Sequence, residues 1–293
     1  MSLEKVVERI EATGEIPTIG AVATEVMRRI ADPDADFRSV GSVIEQDPAL
    51  AAKILRVANS PYYGIPGEVG NLERAVALLG MARVRNIALS VSVMADFTGS
   101  YGGKAFNWTR FWEHSAGCAL IAETMVRLLR IPGLGTEYVG GLLHDVGKIL
   151  LGHHFPDGFG RALDAAASRR TPLIDAEREV FGTDHAELGG WLARRWGFPE
   201  ELRAAIRWHH DPEAAGEGAL VASVVHVADL FTKAKCIGFG GDQVAVCLED
   251  DPAWRRIAGA SRELDGLDVV RFTIRLDREV EAARELARAA GAS

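Results

Sequence analysis

Apolar positions along this chain recur at helical spacing and almost nowhere alternate. Leu50, Ile54 and Val57 fall three or four residues apart, and Asp47 followed by Pro48 supplies a cap and a first-turn residue. That pattern predicts a helix from Pro48 to Asn59. Asn71 can cap a second helix running through Leu79, Gly80 interrupts it, and a third apolar-rich segment extends from Met81 to about Phe97. Between the first two lies NSPYYGIPGEVGN, a connector rich in Pro and Gly. Further on, Asp184 with Glu187 three residues later has the spacing of a capping box, which puts His185 in the first turn of its helix. Pro199 opens another helix that ends in Trp208-His209-His210-Asp211-Pro212. Ala219 to Lys233 reads as helix, and Asp277 to Ala290 as an amphipathic, salt-bridged one. Val269 to Ile274 (VVRFTI) reads either as a short strand or as the front of the last helix. With no alternation that supports a sheet, the expectation is an all-α fold. The stretch Thr98 to Lys104, TGSYGGK, is the best linker, dividing the chain into helical subdomains at 1–100 and 104–293.

Composition narrows what those helices do. The 293 residues are 48% hydrophobic, enough for a real core. Asp and Glu outnumber Lys and Arg by 41 to 33, a formal charge of −8, which argues against broad nucleic-acid binding. A small phosphorylated ligand stays open, because bound metal ions would supply the local positive charge. Cys118, Cys236 and Cys247 are scattered without CxxC spacing, so neither a disulfide framework nor a structural zinc site is expected, and a reducing compartment fits. The charged N-terminus lacks the apolar core of a signal peptide, and no uninterrupted apolar run reaches bilayer length. The expected location is the cytoplasm, with no membrane association.

The candidate chemistry lies in GLLHDVGKIL, residues 141–150, where His144, Asp145 and Lys148 interrupt an apolar run. Buried ionisable groups are costly unless paired, and a metal ion is one such partner. The chain has eight histidines, several on different predicted helices and flanked by apolar residues, an arrangement that suits a site in the core of a helical bundle. Asp145 and Asp229 add carboxylates. Imidazole nitrogens combined with carboxylate oxygens suit iron, manganese, zinc or nickel better than calcium. The adjacent pairs His144-Asp145 and His209-His210 diverge by roughly a quarter turn on a helix, so their members would reach neighbouring ions rather than crowd one.

These residues carry a resemblance. His114, then His144-Asp145, then Asp229, in that order, resemble the HD superfamily of metal-dependent phosphohydrolases. His185 in DHAELG, His209 and His210 in IRWHHDP, Asp229 in HVADLF and Lys148 in HDVGK are similar to the dinuclear site of its HD-GYP subgroup, but DPEAAGEGAL follows His210 and the GYP signature is missing. The segments EQDPALAAKILRVANSPYYG and NLERAVALLGMARVRNIAL resemble the HDOD family, the HD-related output domain, and the matches together run from about Ile16 to Asp229. The resemblance implies a bacterial signalling module. Many members of that family have lost ligands, whereas this chain keeps the full set. The trinuclear HD-GYP enzymes carry a glutamate one turn before the first histidine; Arg110 stands there instead, so two ions are expected and not three.

The implied metal ligands are therefore His114, His144, Asp145, His185, His209, His210 and Asp229, holding two divalent ions (Fe, Mn, Ni or Zn), with Asp145 and Lys148 as the candidate catalytic pair. Lys148 reads either as a contact to phosphate or as a surface lysine, and Arg110 as a phosphate contact or an exposed salt-bridging residue. His226 is expected to be a satisfied core histidine, and His153 and His154 structural residues beyond their helix. Trp191, Trp196 and Trp208 are expected as one cluster of core and cavity wall, and Arg83 and Arg85 as a solvated helix face. Three functions compete: a sensor or output module with a signalling-protein partner, a phosphohydrolase acting on a nucleotide or cyclic dinucleotide, and a metal-free helical scaffold.

Overall fold

Helix boundaries follow the capping chemistry. Helix α1 spans Leu3–Thr13, and α2, Pro48–Ala58, starts where the Asp47 carboxylate accepts the Leu50 N–H at 3.0 Å. Helix α3, Leu72–Leu79, is capped by Asn71, which accepts from the Arg74 N–H. Gly80, at φ 85°, then turns the chain into α4, Met81–Thr98, a backbone angle that favours glycine. The computed structural model describes residues 2–21, 23–25, 44, 47–98, 106–131, 135–242, 248–261 and 269–291. The expected linker beyond Thr98 lies outside them.

The second half contributes α5 (Trp108–Leu128), α6 (Glu137–Leu143), α7 (Gly147–His154), α8 (Pro156–Arg169), α9 (Leu173–Phe181), α10 (His185–Arg195) and α11 (Glu200–Trp208). A 3-10 turn at Pro212–Gly218 leads into α12 (Ala219–Ala234), followed by α13 (Pro252–Ala260), α14 (Val269–Arg275) and α15 (Asp277–Ala290). Among the described residues there is no strand. VVRFTI is helical and forms a helix of its own, set off from α15 by Leu276.

Helix α5 sits at the centre, packed against α6, α12 and α15, while α15 also crosses α2 and α4. The close approach is encoded in small residues. Ser115, Ala116, Gly117, Cys118 and Ala119 are all buried on α5, and a Cβ on Gly141 of α6 would lie 2.8 Å from the Ala119 Cα. The connector after α2 is fixed by Asn59, whose side chain accepts from the Val69 N–H and donates to the Val69 carbonyl. Buried Glu279 of α15 takes the Tyr62 hydroxyl at 2.7 Å and the Thr124 hydroxyl at 3.0 Å, tying the connector and α5 together. The stretch Pro212–Ala234 is the one helical run among the described residues with the length and apolar content of a membrane span. Its apolar side chains are used in packing: Val221, Val224, Val225 and Val227 are buried in the bundle.

Gly141→Ala would force α5 and α6 apart and should lower unfolding stability by about 1–3 kcal/mol, the usual cost of overpacking. Urea denaturation checks this; an unchanged midpoint would refute the backbone-to-backbone crossing.

Candidate metal centre

Helix α6 ends at Leu143, and His144, Asp145 and Val146 form a tight turn before α7 begins at Gly147. The apolar run is thus broken at the point where its ionisable residues occur, not continued as one helix. The turn is closed by i→i+3 bonds, Val146 N–H to Leu143 O and Lys148 N–H to Asp145 O. Gly147 is required there: a Cβ would overlap the His185 carbonyl, where the start of α7 meets the start of α10. His114 comes from α5, His185 from the first residue of α10, His209 and His210 from the turn after α11, and Asp229 from α12.

All seven expected ligands converge, in two groups that meet at Asp145. Its Oδ2 faces His144 Nε2 at 3.3 Å and His114 Nε2 at 3.7 Å, and Asp229 Oδ1 lies 3.0 Å from His114 Nε2. Its Oδ1 faces His185 Nε2 at 3.3 Å and His209 Nε2 at 3.8 Å, with His210 Nε2 3.0 Å from His185 Nε2. His114, His144 and Asp229 form one set of donor atoms close enough to share an ion; His185, His209 and His210 form another.

The surroundings suit a cation. His114 Nε2, His144 Nε2, Asp145 Oδ1 and Asp229 Oδ1 are buried without a hydrogen-bond partner, a concentration of orphaned donors and acceptors that a metal would satisfy. The outer ring nitrogens are engaged: His144 Nδ1 with Gly141 O and His209 Nδ1 with Ile206 O, both at 2.8 Å, and His185 Nδ1 with Glu177 Oε2 at 2.5 Å. Protons on those Nδ1 atoms leave the Nε2 lone pairs turned inward. Burial holds His114, His185 and His210 below the usual imidazole range, and His209 down to about 3, so these rings are neutral and ready to ligate. Burial alone would raise both aspartates, but His144 and Lys148 overcome it at Asp145, and Lys233 and His114 at Asp229, keeping both ionised. Burial also disfavours charge on His144, yet the adjacent Asp145 carboxylate raises it well above the imidazole range; the bound proton stands where a cation would bind.

Lys148 is not a surface lysine: it is 2% exposed, and its ammonium donates to Asp145 Oδ2 at 2.7 Å and to the Gly240 carbonyl at 2.6 Å. The segment Ile237–Asp242 covers the centre. Gly240 packs so closely that a Cβ would lie 2.7 Å from His114 Nε2. Among the described residues Arg110 makes no ion pair and does not enter the site. It donates to Gly238 O, lies over the Phe239 ring, and its carbonyl accepts the Phe239 N–H, so it anchors this covering segment. His226 donates to the His209 carbonyl and pairs with Asp251, a satisfied histidine one step behind the ligands. His153 and His154 lie in the last turn of α7, inside the helix rather than beyond it, where they contact Glu15. The tryptophans separate: Trp191 and Trp208 line one surface cleft, while Trp196 packs on Phe97 and Phe198.

Three supporting residues escaped the sequence reading. Glu177 receives the backbone N–H and the Nδ1 of His185, and burial pushes its carboxyl up to about 8. Lys233 bridges Asp229 and Asp242 at 3.0 Å each, and Asp242 in turn accepts the Leu173 N–H. Lys233 stands four residues after Asp229, an i,i+4 pairing that the sequence does display. For Glu177 the only cue was its place on a helix of ordinary amphipathic pattern.

Comparisons agree with this picture. The structure superposes on an HDOD domain protein of unknown function from Geobacter sulfurreducens with a TM-score of 0.83 and 28% identity, covering 97% of this chain and 99% of that one. It also matches a Shewanella amazonensis protein provisionally assigned as a phosphohydrolase, with a TM-score of 0.71, 22% identity and 97% of each chain covered. In sequence, the chain is 25% identical over 217 residues to an uncharacterised Treponema pallidum protein, covering 74% of this chain and 42% of that protein. It is 38% identical over 126 residues to ribonuclease Y of Deinococcus radiodurans, 41% of this chain and 21% of that enzyme. The chain therefore spans less than half the length of these curated relatives. Fold and site define an all-α protein with histidines and aspartates placed so that they could hold metal. The HDOD domain profile matches residues 16–212, about two thirds of the chain, and the protein belongs to that family.

Glu177→Gln should weaken metal binding by roughly 10- to 100-fold, the usual effect of removing a carboxylate behind a ligating histidine, with the fold retained. Competition with a chelator measures it; unchanged affinity would remove Glu177 from this role.

Proposed function

We propose that this chain is a cytoplasmic HDOD signalling module whose buried centre binds a pair of divalent ions, of Fe, Mn, Ni or Zn type, and acts as a sensor or protein-interaction output module rather than as a hydrolase. The observation that carries the reading is the combination of a complete donor set with a closed cover. His114, His144, Asp145, His185 and His209 are each at most 1% exposed, and the Lys148 ammonium is already committed to Asp145 and Gly240. Asp145, with one oxygen toward each histidine group, is the bridging ligand in this reading. Free Cys118 and Cys236 suit a reducing compartment. The partner is another signalling protein, for which the N-terminal helices are the proposed contact surface.

The second reading is a metal-dependent phosphohydrolase, and the intact ligand set favours it. When bound, the ions would supply Lewis acidity toward a phosphoryl oxygen. The chain's own part would be to orient that group and to present the Lys148 ammonium to developing negative charge once Gly240 withdraws. The local likeness to ribonuclease Y is a reason to include RNA among the substrates screened.

Elemental analysis of anaerobically purified protein should find about two equivalents of metal per chain, and Asp145→Ala should abolish it. Wild-type protein without stoichiometric metal sinks both readings. Nucleotides, cyclic dinucleotides, short RNA and aryl phosphodiesters should then show no turnover above that of His144→Ala. Turnover that His144→Ala removes would replace the sensor with the enzyme.

A further inference from the structure

A second polar site lies away from the metal centre. A cavity of about 370 Å³, within the size range of small-molecule sites, opens between the connector after α2, the start of α4, the C-terminal third of α5 and the α14–α15 junction. Four arginines from four helices converge on it: Arg83 of α4, Arg127 of α5, Arg275 of α14 and Arg278 of α15. In a chain of formal charge −8 such a concentration needs an explanation. Helix α5 carries His114 toward one end and Thr124 of this cavity ten residues later, about 15 Å along the axis, so the two sites are separate.

The nearby acids Glu123 and Glu279 feel Arg83 and Arg127 electrostatically, but their oxygens are hydrogen-bonded elsewhere. Among the described residues, no carboxylate oxygen lies within ion-pair distance of Arg83, Arg275 or Arg278. Arg127 makes only a long contact, 3.4 Å to the Thr124 hydroxyl. Glu279, at the floor, is buried and spends both oxygens on Tyr62 and Thr124. Glu123 accepts from the Asn86 amide at 2.8 Å. Burial raises both acids, against the pull of Arg83 and Arg127. Burial likewise raises Tyr63, so its hydroxyl stays a neutral donor at the cavity wall.

We propose that this cavity binds a small ligand bearing two linked phosphate groups, gripped by Arg83 and Arg127 on one side and Arg275 and Arg278 on the other. Guanidinium forks match phosphate oxygens in pairs, which makes arginine the side chain of choice for such a group. The cavity is a single concavity and not a stripe along the surface, which fits a compact anion rather than a polymer. This site gives the module a ligand input distinct from its metal centre, and it stands whether or not the centre turns out to be catalytic.

The test is calorimetric titration of full-length protein with inorganic pyrophosphate, in low salt and with excess chelator to keep the metal centre empty. Saturable binding is expected, weakening as NaCl is added. Arg83→Gln/Arg278→Gln should bind about tenfold more weakly or worse. Arg169→Gln/Arg195→Gln, elsewhere on the surface, and His144→Ala should bind as the wild type does. Thermal melts verify folding; if the double variant is unfolded, the single variants Arg83→Gln and Arg275→Gln provide the same reading. ADP titrated in parallel identifies the source: tighter binding than pyrophosphate assigns a nucleoside diphosphate, equal binding the pyrophosphate group alone. Absence of saturable binding, or equal affinity in the groove variants, overturns the proposal. So does loss of binding in His144→Ala, which would put the phosphate at the metal centre.

Discussion

The Asp145 carboxylate is the constraint on which the rest depends. An ionised carboxylate without water is several kcal/mol unfavourable unless cations and donors surround it. Here it is 1% exposed, and each oxygen is assigned: one toward His114, His144 and Lys148, the other toward His185 and His209. Those partners come from five different pieces of chain, so the arrangement of α5, α7, α10 and the turns after α6 and α11 is largely the arrangement that solves this one electrostatic problem. The break between α6 and α7 follows from the same demand, since a continuous helix would rotate Asp145 and Lys148 differently against the histidines. Gly141 and Gly147 are the steric counterpart, allowing α6 onto α5 and α7 onto α10 closely enough for the side chains to meet.

A second ring of polar groups keeps the first in place. Glu177 holds His185 from behind, and Lys233 holds Asp229 while being held by Asp242, which is itself tied to the start of α9 through Leu173. The inner shell gathers two carboxylates, one ammonium and five imidazoles, four of them held neutral by burial. The orphaned atoms at its middle are His114 Nε2, His144 Nε2, Asp145 Oδ1 and Asp229 Oδ1. A metal-free scaffold would leave those four inner atoms buried without a partner, which is the physical argument against fortuitous histidines.

Much of this was legible beforehand because local rules and the long-range demand coincide. Asp47, Asn71 and Asp184 cap the helices that their positions announced, and each ligand type occurs where a helix start, a helix end or a turn can present it. The capping box was half right: Asp184 accepts the Glu187 N–H, but the Glu187 carboxylate turns to the Thr183 hydroxyl and Arg207. Burial was harder to see. Lys148 on a helix face looks the same whether it faces solvent or Gly240, which is ninety-two residues away in sequence. The fate of Arg110 depended on Gly238 and Phe239, and Arg83 acquires its setting only when the α14–α15 turn arrives from the far end of the chain. VVRFTI was ambiguous because five apolar and β-branched residues with one arginine fit either period.

The cover over the centre sets a quantitative condition on catalysis. To admit a phosphoryl group, Gly240 must give up the Lys148 ammonium, a charge-assisted bond worth about 1.5–3 kcal/mol, and Phe239 must release its bond to Arg110, worth about 1 kcal/mol. The exposed Arg110 side chain adds little. A total near 3 kcal/mol leaves roughly one molecule in a hundred or fewer open at rest. Gly238 and Gly241 sit at φ 60° and 118°, angles that favour glycine. Substrate binding energy would have to supply that amount before contributing to any chemistry. A sensor faces no such demand, since ions that bind beneath a closed cover and leave slowly serve it well. Under the proposed sensor reading, the same few bonds that would hinder access of a substrate would help to retain metal.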